Sequence, residues 1–401
     1  MTERLRIENL FKIFTDAPQR AQQILAAGGD KNRVFEELGI VVGLDNVSLT
    51  IPAGATYVVM GLSGSGKSTL ARCINRLNEP TGGRILLDGQ DILTFDEAKL
   101  RDLRRTRISM VFQHFALLPN KRVIENVEFG LKLRGVPPKE RRLRAEEVLA
   151  VVGLARWGGH FPHELSGGMR QRVGLARARA TDADILIMDE AFSALDPLIR
   201  SEMQDELLRL QQSLHKTILF ITHDFQEALK IGTRIAIMSE GKVVREGTPQ
   251  SIVLEPGSDY VAAFTRDVDR ARLFDAASVM SNFKTLLEVP QGIVVGASDL
   301  PHEPALVLDA DEHVIGALSG AEVVKARSVD AKVTPSSDFV CVSQNTKLVD
   351  IARRYRTGQP IGVLDEGGRL VGLLDAEQIL ARIGSMPIRA RDGEGGRDAA
   401  S

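Results

Sequence analysis

A glycine-rich stretch limits the fold more than any other part of this 401-residue sequence. It reads GLSGSGKST, spans residues 61–69, and lies between the apolar run ATYVVM and a helix-forming segment. In this pattern the glycines leave backbone N–H groups free to surround phosphates, the lysine reaches the outer phosphates, and the serine offers Mg²⁺ a hydroxyl. The first turn of the following helix adds positive potential. The predicted nucleotide-binding residues are Gly61, Ser63, Gly64, Gly66, Lys67, Ser68 and Thr69.

Apolar runs typical of buried strands alternate with helical segments on both sides of this loop. The alternation predicts an α/β fold with a mainly parallel sheet, and the strand pattern near the N-terminus predicts antiparallel strands there. Residues 120–165 have a helical pattern, within a helical subdomain of about 115–170. Residues 15–39, called the insert below, interrupt the strand pattern and predict two short helices separated at Gly28 and Gly29.

A pair of carboxylates follows a second apolar run, DILIMDE, which ends at residue 190. Asp189 lies where the predicted strand ends, so it can hold Mg²⁺ through water. Glu190 follows it and can polarise a water molecule that attacks the γ-phosphate, since positioning and electrostatics account for most of phosphoryl transfer. The alternative is that the pair merely ends a buried strand.

Composition excludes several classes of protein. The formal net charge is −2, so the chain as a whole is not a binder of polyanions. Cys73 and Cys341 are the two cysteines and lie far apart, which predicts a reducing compartment rather than a disulfide framework. The N-terminus has no signal-peptide pattern and the apolar runs are too short to cross a bilayer, so any work at a membrane requires docking to other chains.

The C-terminal part contains an internal repeat. Residues 304–324 align without a gap on residues 360–380, and each copy has the pattern strand, turn, strand, helix. Two copies are too few for a solenoid, so the repeat predicts a pseudo-symmetric pair packed face to face. The polar, glycine-rich tail, residues 386–401, is predicted to be disordered.

The stretch LSGGMRQRVGLARA, which begins at Leu165, identifies a family. LSGG at the start of a basic helix resembles the signature sequence of ATP-binding-cassette (ABC) ATPases, with Met169 where that family often has glutamine. The resemblance implies a head-to-tail homodimer in which Ser166, Gly167 and Gly168 of one subunit meet the γ-phosphate held by the other. The residue types suit this contact, because glycines expose backbone N–H groups and a helix N-terminus favours anions.

Further ABC motifs occur in the family's order. Gln113, at the end of MVFQ, matches the Q-loop, which contacts Mg²⁺ and the attacking water. Ser193 and Asp196 lie in SALD, which matches the D-loop, and His223 matches the switch histidine that contacts the γ-phosphate. Phe14, or as an alternative Phe11, would stack on adenine; the other explanation for both is strand packing.

The motifs and the insert together resemble the ATPase subunit of glycine betaine/proline (quaternary amine) importers. The resemblance implies a RecA-like core, an antiparallel β subdomain and a helical subdomain within residues 1–265, a linker at 266–277 and a tandem CBS pair at 278–385. It also implies ATP and Mg²⁺ as cofactors, transmembrane permease subunits as partners and, indirectly, a substrate-binding protein. The expected location is peripheral, on the cytoplasmic face of the inner membrane, and the cargo is glycine betaine, proline, choline or carnitine.

The CBS pair suggests regulation by osmotic conditions. Arg353, Arg354 and Arg356 are predicted on one short helix, where they could dock on anionic lipid at low ionic strength and detach as salt screens the attraction. The alternative for these arginines is a solvated helix face.

Two other functions compete with the importer. One is a soluble ABC ATPase acting on nucleic acid or ribosomes, which the neutral charge and the single cassette disfavour. The other is a purely regulatory adenylate-binding module, which the full set of ATPase motifs disfavours.

Overall fold

The computed structural model describes residues 2–112, 116–193, 195–214, 216–297, 303–327 and 333–384. Contacts divide the chain into two compact units. The first unit contains the described residues up to Ile252 together with Pro256–Phe264, and the second contains Val253–Glu255 and the described residues from Thr265 onward. In the part of the chain that the structure describes, no helix is long and apolar enough to span a membrane.

The first unit combines strands and helices throughout its length. Its strands are β1 (Glu3–Phe14), β2 (Val41–Pro52), β3 (Thr56–Met60), β4 (Gly82–Leu87), β5 (Gln90–Asp91), β6 (Ile108–Val111), β7 (Ile185–Asp189), β8 (Thr217–Thr222), β9 (Arg234–Ser239) and β10 (Lys242–Gly247). The helices of this stretch of chain are α1 (Gln19–Ala26), α2 (Lys31–Leu38), α3 (Lys67–Ile74), α4 (Glu97–Thr106), α5 (Val123–Leu133), α6 (Pro138–Val151), α7 (Gly167–Ala180), α8 (Pro197–Leu214), α9 (Phe225–Ile231), α10 (Pro249–Leu254) and α11 (Asp259–Thr265).

The main sheet has the strand order β10-β9-β3-β8-β7-β6. All neighbouring pairs are parallel except β10 and β9. Every residue of β3 and β8 is buried, as expected for strands that helices cover on both faces. This confirms the predicted mainly parallel α/β sheet.

A second, antiparallel sheet begins the chain, in the order β2-β1-β4-β5. The insert lies between β1 and β2 and forms α1 and α2, separated at Gly28 (φ 85°) and Gly29, which confirms the predicted pair of helices. Asp30 caps α2 by accepting a hydrogen bond from the Arg33 amide at 2.8 Å. A small apolar core joins the insert to the flanking strands, with Ala21 and Val34 of the insert packed against Ile13 of β1 and Val42 of β2.

Helices α5, α6 and α7 pack on one another around a separate apolar core. This core includes Val123 from α5, Val148 from α6 and Val173 from α7. The helical cluster therefore continues beyond the predicted end near residue 170, because the C-terminal half of α7, as far as Ala180, supplies apolar residues to the same core.

The second unit contains two small sheets and short helices. Its strands are β11 (Lys284–Val289), β12 (Gly292–Gly296), β13 (Ala305–Leu308), β14 (Val314–Leu318), β15 (Val340–Ser343), β16 (Ile361–Leu364) and β17 (Leu370–Leu374). Its helices are α12 (Arg270–Leu273), α13 (Gly320–Ala326), α14 (Leu348–Arg354) and α15 (Ala376–Gly384). β13, β14 and α13 form one copy of the repeat, and β16, β17 and α15 form the other, which confirms the predicted order of elements in each copy.

The two repeats are joined by a reciprocal exchange of backbone hydrogen bonds. Ser281, which precedes the first repeat, pairs with Leu373 of β17 through two bonds of 2.9 and 3.0 Å. Ser336, which precedes the second, pairs with Ala317 of β14 through bonds of 2.8 and 2.9 Å. The two copies also share a core, in which Leu306 and Leu373 lie in one apolar cluster. Each repeat therefore completes the other.

Two sequence expectations for this unit need correction. Residues 266–277, predicted as a linker, contain α12 and the fully buried Phe274, so the segment is folded into the second unit. Arg356 does not lie on the helix that carries Arg353 and Arg354, because α14 ends at Arg354 and the chain then turns, with the Arg356 amide donating to Gln359 Oε1 at 3.0 Å. The predicted tail at 386–401 lies outside the described residues.

Two equivalent glycines of the repeats give an internal comparison. A Cβ on Gly316 would lie 2.4 Å from Pro335 Cβ and 3.2 Å from the Ser336 carbonyl oxygen, whereas the nearest atoms to a Cβ on Gly372 would be those of the Met280 side chain, at 2.9 Å or more. Overpacking costs about 1–3 kcal/mol. We expect Gly316→Ala to lower the free energy of unfolding by more than Gly372→Ala does, because the Met280 side chain can move and a proline cannot. Thermal unfolding and hydrogen exchange of the β14 and β17 amides would measure both; equal losses would contradict this account.

Candidate active site

The loop after β3 owes its shape to backbone contacts that require glycine. Gly61 has φ 150°, and a Cβ there would lie 2.2 Å from the Met238 carbonyl oxygen. Gly66 has φ 102°, and a Cβ there would lie 2.5 Å from the Gly43 carbonyl oxygen. The loop is thus held against β2 and β9 while α3 begins at the next residue.

Lys67 is the first residue of α3 and its side chain is buried. Its ammonium donates to the Leu62 carbonyl oxygen at 2.8 Å and to Ser65 Oγ at 3.4 Å. Burial lowers the pKa of Lys67, and the nearby carboxylates of Glu190 and Asp189 oppose that shift. The loop therefore holds a cation that has already lost much of its water, which strengthens its attraction for an entering anion.

Ser68 and Asp189 form a hydrogen bond between α3 and the end of β7. Ser68 Oγ donates to Asp189 Oδ1 at 2.7 Å. Burial raises the pKa of Asp189, and the bond from Ser68 opposes this. Two adjacent hard oxygen donors suit Mg²⁺, which usually takes one or two protein oxygens and completes its octahedron with water and phosphate. Within the described residues no group of three His, Cys, Asp or Glu side chains could hold a metal, so phosphate oxygens would have to complete such a site.

Glu190 has an unusual backbone conformation. Its φ is 47°, uncommon for a residue with a side chain, and two sets of bonds hold it there. Its amide donates to the Ile221 carbonyl oxygen at 3.0 Å, and its own carbonyl accepts from the Ser193 amide at 3.2 Å and from Ser193 Oγ at 3.0 Å. The carboxylate then lies 3.4 Å from His223 Nδ1, measured from Oε2. The two predicted catalytic side chains are therefore neighbours.

The turn that carries His223 rests on a buried acidic residue that the motifs do not include. Glu227 accepts from Thr222 Oγ1 at 2.6 Å and from Gln204 Nε2 at 3.1 Å. Thr222 Oγ1 in turn accepts from the Asp224 amide at 2.9 Å, which fixes the backbone on both sides of His223. A single glutamate in the apolar stretch FQEALKI was the only sequence signal for it.

A cavity of about 570 Å³ opens beside the loop. The sequence-predicted residues that line it are Phe14, Ser63, Gly64, Gly66, Lys67, Ser68, Thr69 and Glu190. Phe11, the alternative to Phe14, lines a different groove. Three residues of α2 also line the cavity, namely Lys31, Asn32 and Phe35, and no motif pointed to them.

The predicted signature residues lie elsewhere. Ser166 caps α7 by accepting from the Met169 amide at 3.3 Å, and Leu165 is buried. A Cβ on Gly167 would meet no atom within 4 Å, and one on Gly168 would touch Leu195 at 3.4 Å. Among the described lining residues of the cavity, none comes from 165–169.

Three predicted site residues remain, namely Ser193, Asp196 and Gln113. Ser193 is bonded to the Glu190 carbonyl, as given above. Asp196 Oδ1 accepts from the Ile199 amide at 3.1 Å and so caps the start of α8. Gln113 lies outside the described residues.

Known proteins resemble the whole chain. A model of the ABC transporter family matches residues 44–193. The glycine betaine/proline betaine transport system ATP-binding protein of Salmonella typhimurium is 42% identical, covering 99% of this chain and 100% of that protein. The glycine betaine transport ATP-binding protein of Bacillus subtilis is also 42% identical, over 92% of this chain and 90% of its own length.

A solved structure resembles part of the chain. It is a dimeric ATP-binding cassette in a post-hydrolysis state bound to ADP and Pi, with a TM-score of 0.53 and 33% identity. The match covers 61% of this chain and 98% of that one.

Glu227 gives a pH test of the turn beneath His223. Burial raises the pKa of Glu227, so the folded state disfavours its carboxylate, and the free energy of unfolding falls as pH rises from the ordinary glutamate value through the raised one. Each pKa unit corresponds to about 1.4 kcal/mol. Glu227→Gln keeps the shape without the charge, so we expect its stability relative to wild type to improve with rising pH in urea titrations. The exposed Glu202→Gln should show no such trend; parallel curves for Glu227→Gln would refute the prediction.

Proposed function

The chain belongs to the ATP-binding subunits of glycine betaine ABC importers, and we propose that it hydrolyses ATP to power import of glycine betaine, proline betaine or a related quaternary amine such as choline or carnitine. The observation that carries this proposal is that 42% identity to a betaine transport ATP-binding protein extends over 99% of the chain, including the second unit. The geometry supports it independently: Lys67 and Glu190 line one cavity, Asp189 is bonded to Ser68 of the same cavity wall, and His223 lies beside Glu190.

The cavity would hold the nucleotide with its phosphates on the loop. Backbone N–H groups freed by Gly64 and Gly66 would surround the phosphates, and Lys67 would exchange its bond to the Leu62 carbonyl for phosphate oxygens. Phe14 is 47% exposed at the end of β1 and lines the same cavity, which supports its role as the aromatic side chain that stacks on adenine.

Mg²⁺ would be held by Ser68 directly and by Asp189 through water, with Gln113 as the third predicted contact. The ion would neutralise charge on the β- and γ-phosphate oxygens. Glu190 would accept the proton of the attacking water, and His223 would contact the γ-phosphate. The 3.4 Å between Glu190 Oε2 and His223 Nδ1 supports a shared task, because two polar groups this close can both contact one bound water.

We propose that residues 165–169 and the D-loop residues Ser193 and Asp196 act on the nucleotide of a second copy of the chain. Gly167 supports this strongly. It has no positive φ and no neighbour among the described residues that a Cβ would touch, so nothing in the described part of its own subunit requires glycine there. A phosphate approaching the N-terminus of α7 from a partner subunit would require the open backbone.

The other partners follow from the same proposal. Hydrolysis would be coupled to transmembrane permease subunits on the cytoplasmic face of the membrane, with a substrate-binding protein acting indirectly. The second unit would be a tandem CBS pair, a proposal that the reciprocal exchange between its repeats supports. A nucleic-acid ATPase remains the alternative that a copurified permease would exclude, and the net charge of −2 speaks against it.

The main test is a trapped dimer. Glu190→Gln removes the proton acceptor, so we expect hydrolysis to fall by roughly 100-fold or more and an ATP-bound dimer to accumulate on size exclusion. Adding Gly167→Asp should abolish the dimer, because a carboxylate at the start of α7 suits the helix but repels phosphate. Normal hydrolysis by Glu190→Gln, or a persistent dimer in the double variant, would overturn the shared site. Uptake of labelled betaines, choline and carnitine by the reconstituted complex would identify the cargo.

We propose that Arg353 and Arg354 mediate an attraction to anionic membrane that salt weakens. Arg353 lies 3.1 Å from Asp350, so the net attraction depends on both arginines. In liposomes containing anionic lipid, Arg353→Ala/Arg354→Ala should lower the salt concentration that activates ATP hydrolysis. Lys325→Ala/Arg327→Ala removes the same charge from the same unit and should not. An unchanged salt response in the first variant would leave the solvated helix face as the explanation.

A further inference from the structure

Helix α2 of the insert forms one wall of the cavity that contains the phosphate-binding loop. Lys31, Asn32 and Phe35 line that cavity together with Phe14. Lys31 and Phe35 are four residues apart, so they lie on the same face of the helix. That face therefore meets the glycine-rich loop at Lys31 and presents Phe35 to the cavity that Phe14 also lines.

Two further contacts hold α2 in place. Val34 is fully buried in the apolar core that joins the insert to the flanking strands. Lys31 Nζ lies 2.9 Å from Glu240 Oε2, in the turn between β9 and β10, and 3.4 Å from the Gly64 carbonyl oxygen. α2 is thus attached to the loop itself rather than only to the antiparallel sheet.

Phe35 takes part in neither of these contacts. It follows the buried Val34 and is 58% exposed, although it is one of the largest apolar side chains of the insert. An aromatic ring held at the wall of a cavity, with a second exposed aromatic in the same cavity, is the arrangement that accepts a flat ligand.

We propose that Phe35 is a second aromatic contact for the nucleotide base, which lies between Phe14 and Phe35, and that Lys31 positions Phe35 by tying α2 to Gly64 and Glu240. This rests on the proposed function in that the cavity binds ATP. Base recognition then depends on the insert as well as on the strand that carries Phe14.

The test separates base contacts from phosphate contacts by using ATP and inorganic triphosphate as probes on the purified full chain. Phe35→Ala should weaken ATP binding roughly tenfold, as expected for loss of one aromatic stack, and leave inorganic triphosphate unaffected. Phe35→Trp should restore ATP affinity. Glu36→Ala changes the same helix at an exposed position outside the cavity wall and should have no effect on either probe.

Two outcomes would overturn the inference. Phe35→Ala could bind ATP as wild type does, or it could lose ATP and triphosphate equally, which would indicate damage to the loop. If wild type bound triphosphate but not ATP, or bound neither, the proposed function would fail instead, so the two failures are distinguishable.

A double-mutant comparison tests Lys31. Lys31→Met and Glu240→Gln should each weaken ATP binding by less than Phe35→Ala does. Combined with Phe35→Ala, neither should weaken it further, because a residue that acts by positioning Phe35 has nothing left to position. Losses that multiply in the double variants would overturn the positioning role of Lys31.

Discussion

The hydrogen bond between Ser68 and Asp189 joins the two halves of the site, and the parallel sheet makes it possible. β3 pairs with β8 and β8 with β7, with Met60 opposite Thr222 and Ile221 opposite Asp189. Because parallel strands end at the same edge, the glycine-rich loop, the two carboxylates and His223 all emerge within one or two residues of the same level. Chemistry that is spread over more than 150 residues of sequence is thereby gathered by the pairing of three strands.

The positions of several candidate site residues could be predicted from the sequence, because each lies where a buried strand ends. The glycine-rich loop, Glu190 and His223 directly follow buried strands and Asp189 is the last residue of one, so strand ends located them. Phe35 and Glu227 could not be predicted, because their roles depend on which helix packs beside which loop. The choice between Phe11 and Phe14 also needed the structure, since irregular pairing in β1 breaks the two-residue alternation that would assign each to a face. Helix α4 has only two buried residues, Leu100 and Leu103, so its apolar pattern is too sparse to predict a helix from the sequence.

The limits of prediction from sequence are also visible in the second unit. Alignment of residues 304–324 with 360–380 predicted the elements of each repeat but not how the copies meet. The segment before each repeat pairs with the last strand of the other, a pattern that no local signal encodes. The same exchange explains why glycine occurs at both Gly316 and Gly372: in each copy another segment packs directly on that strand.

Three features of the site lower the stability of the folded subunit, and each would favour the binding of a nucleotide. Burial disfavours charge on both Lys67 and Asp189, and Glu190 is held at a positive φ. A sequence selected for stability alone would remove each of these. A triphosphate at the proposed site would compensate the charge of Lys67, and a divalent cation would compensate that of Asp189, so nucleotide binding would relieve these costs. Under the proposed function, such a gain in stability on nucleotide binding would be available to drive the partner subunits.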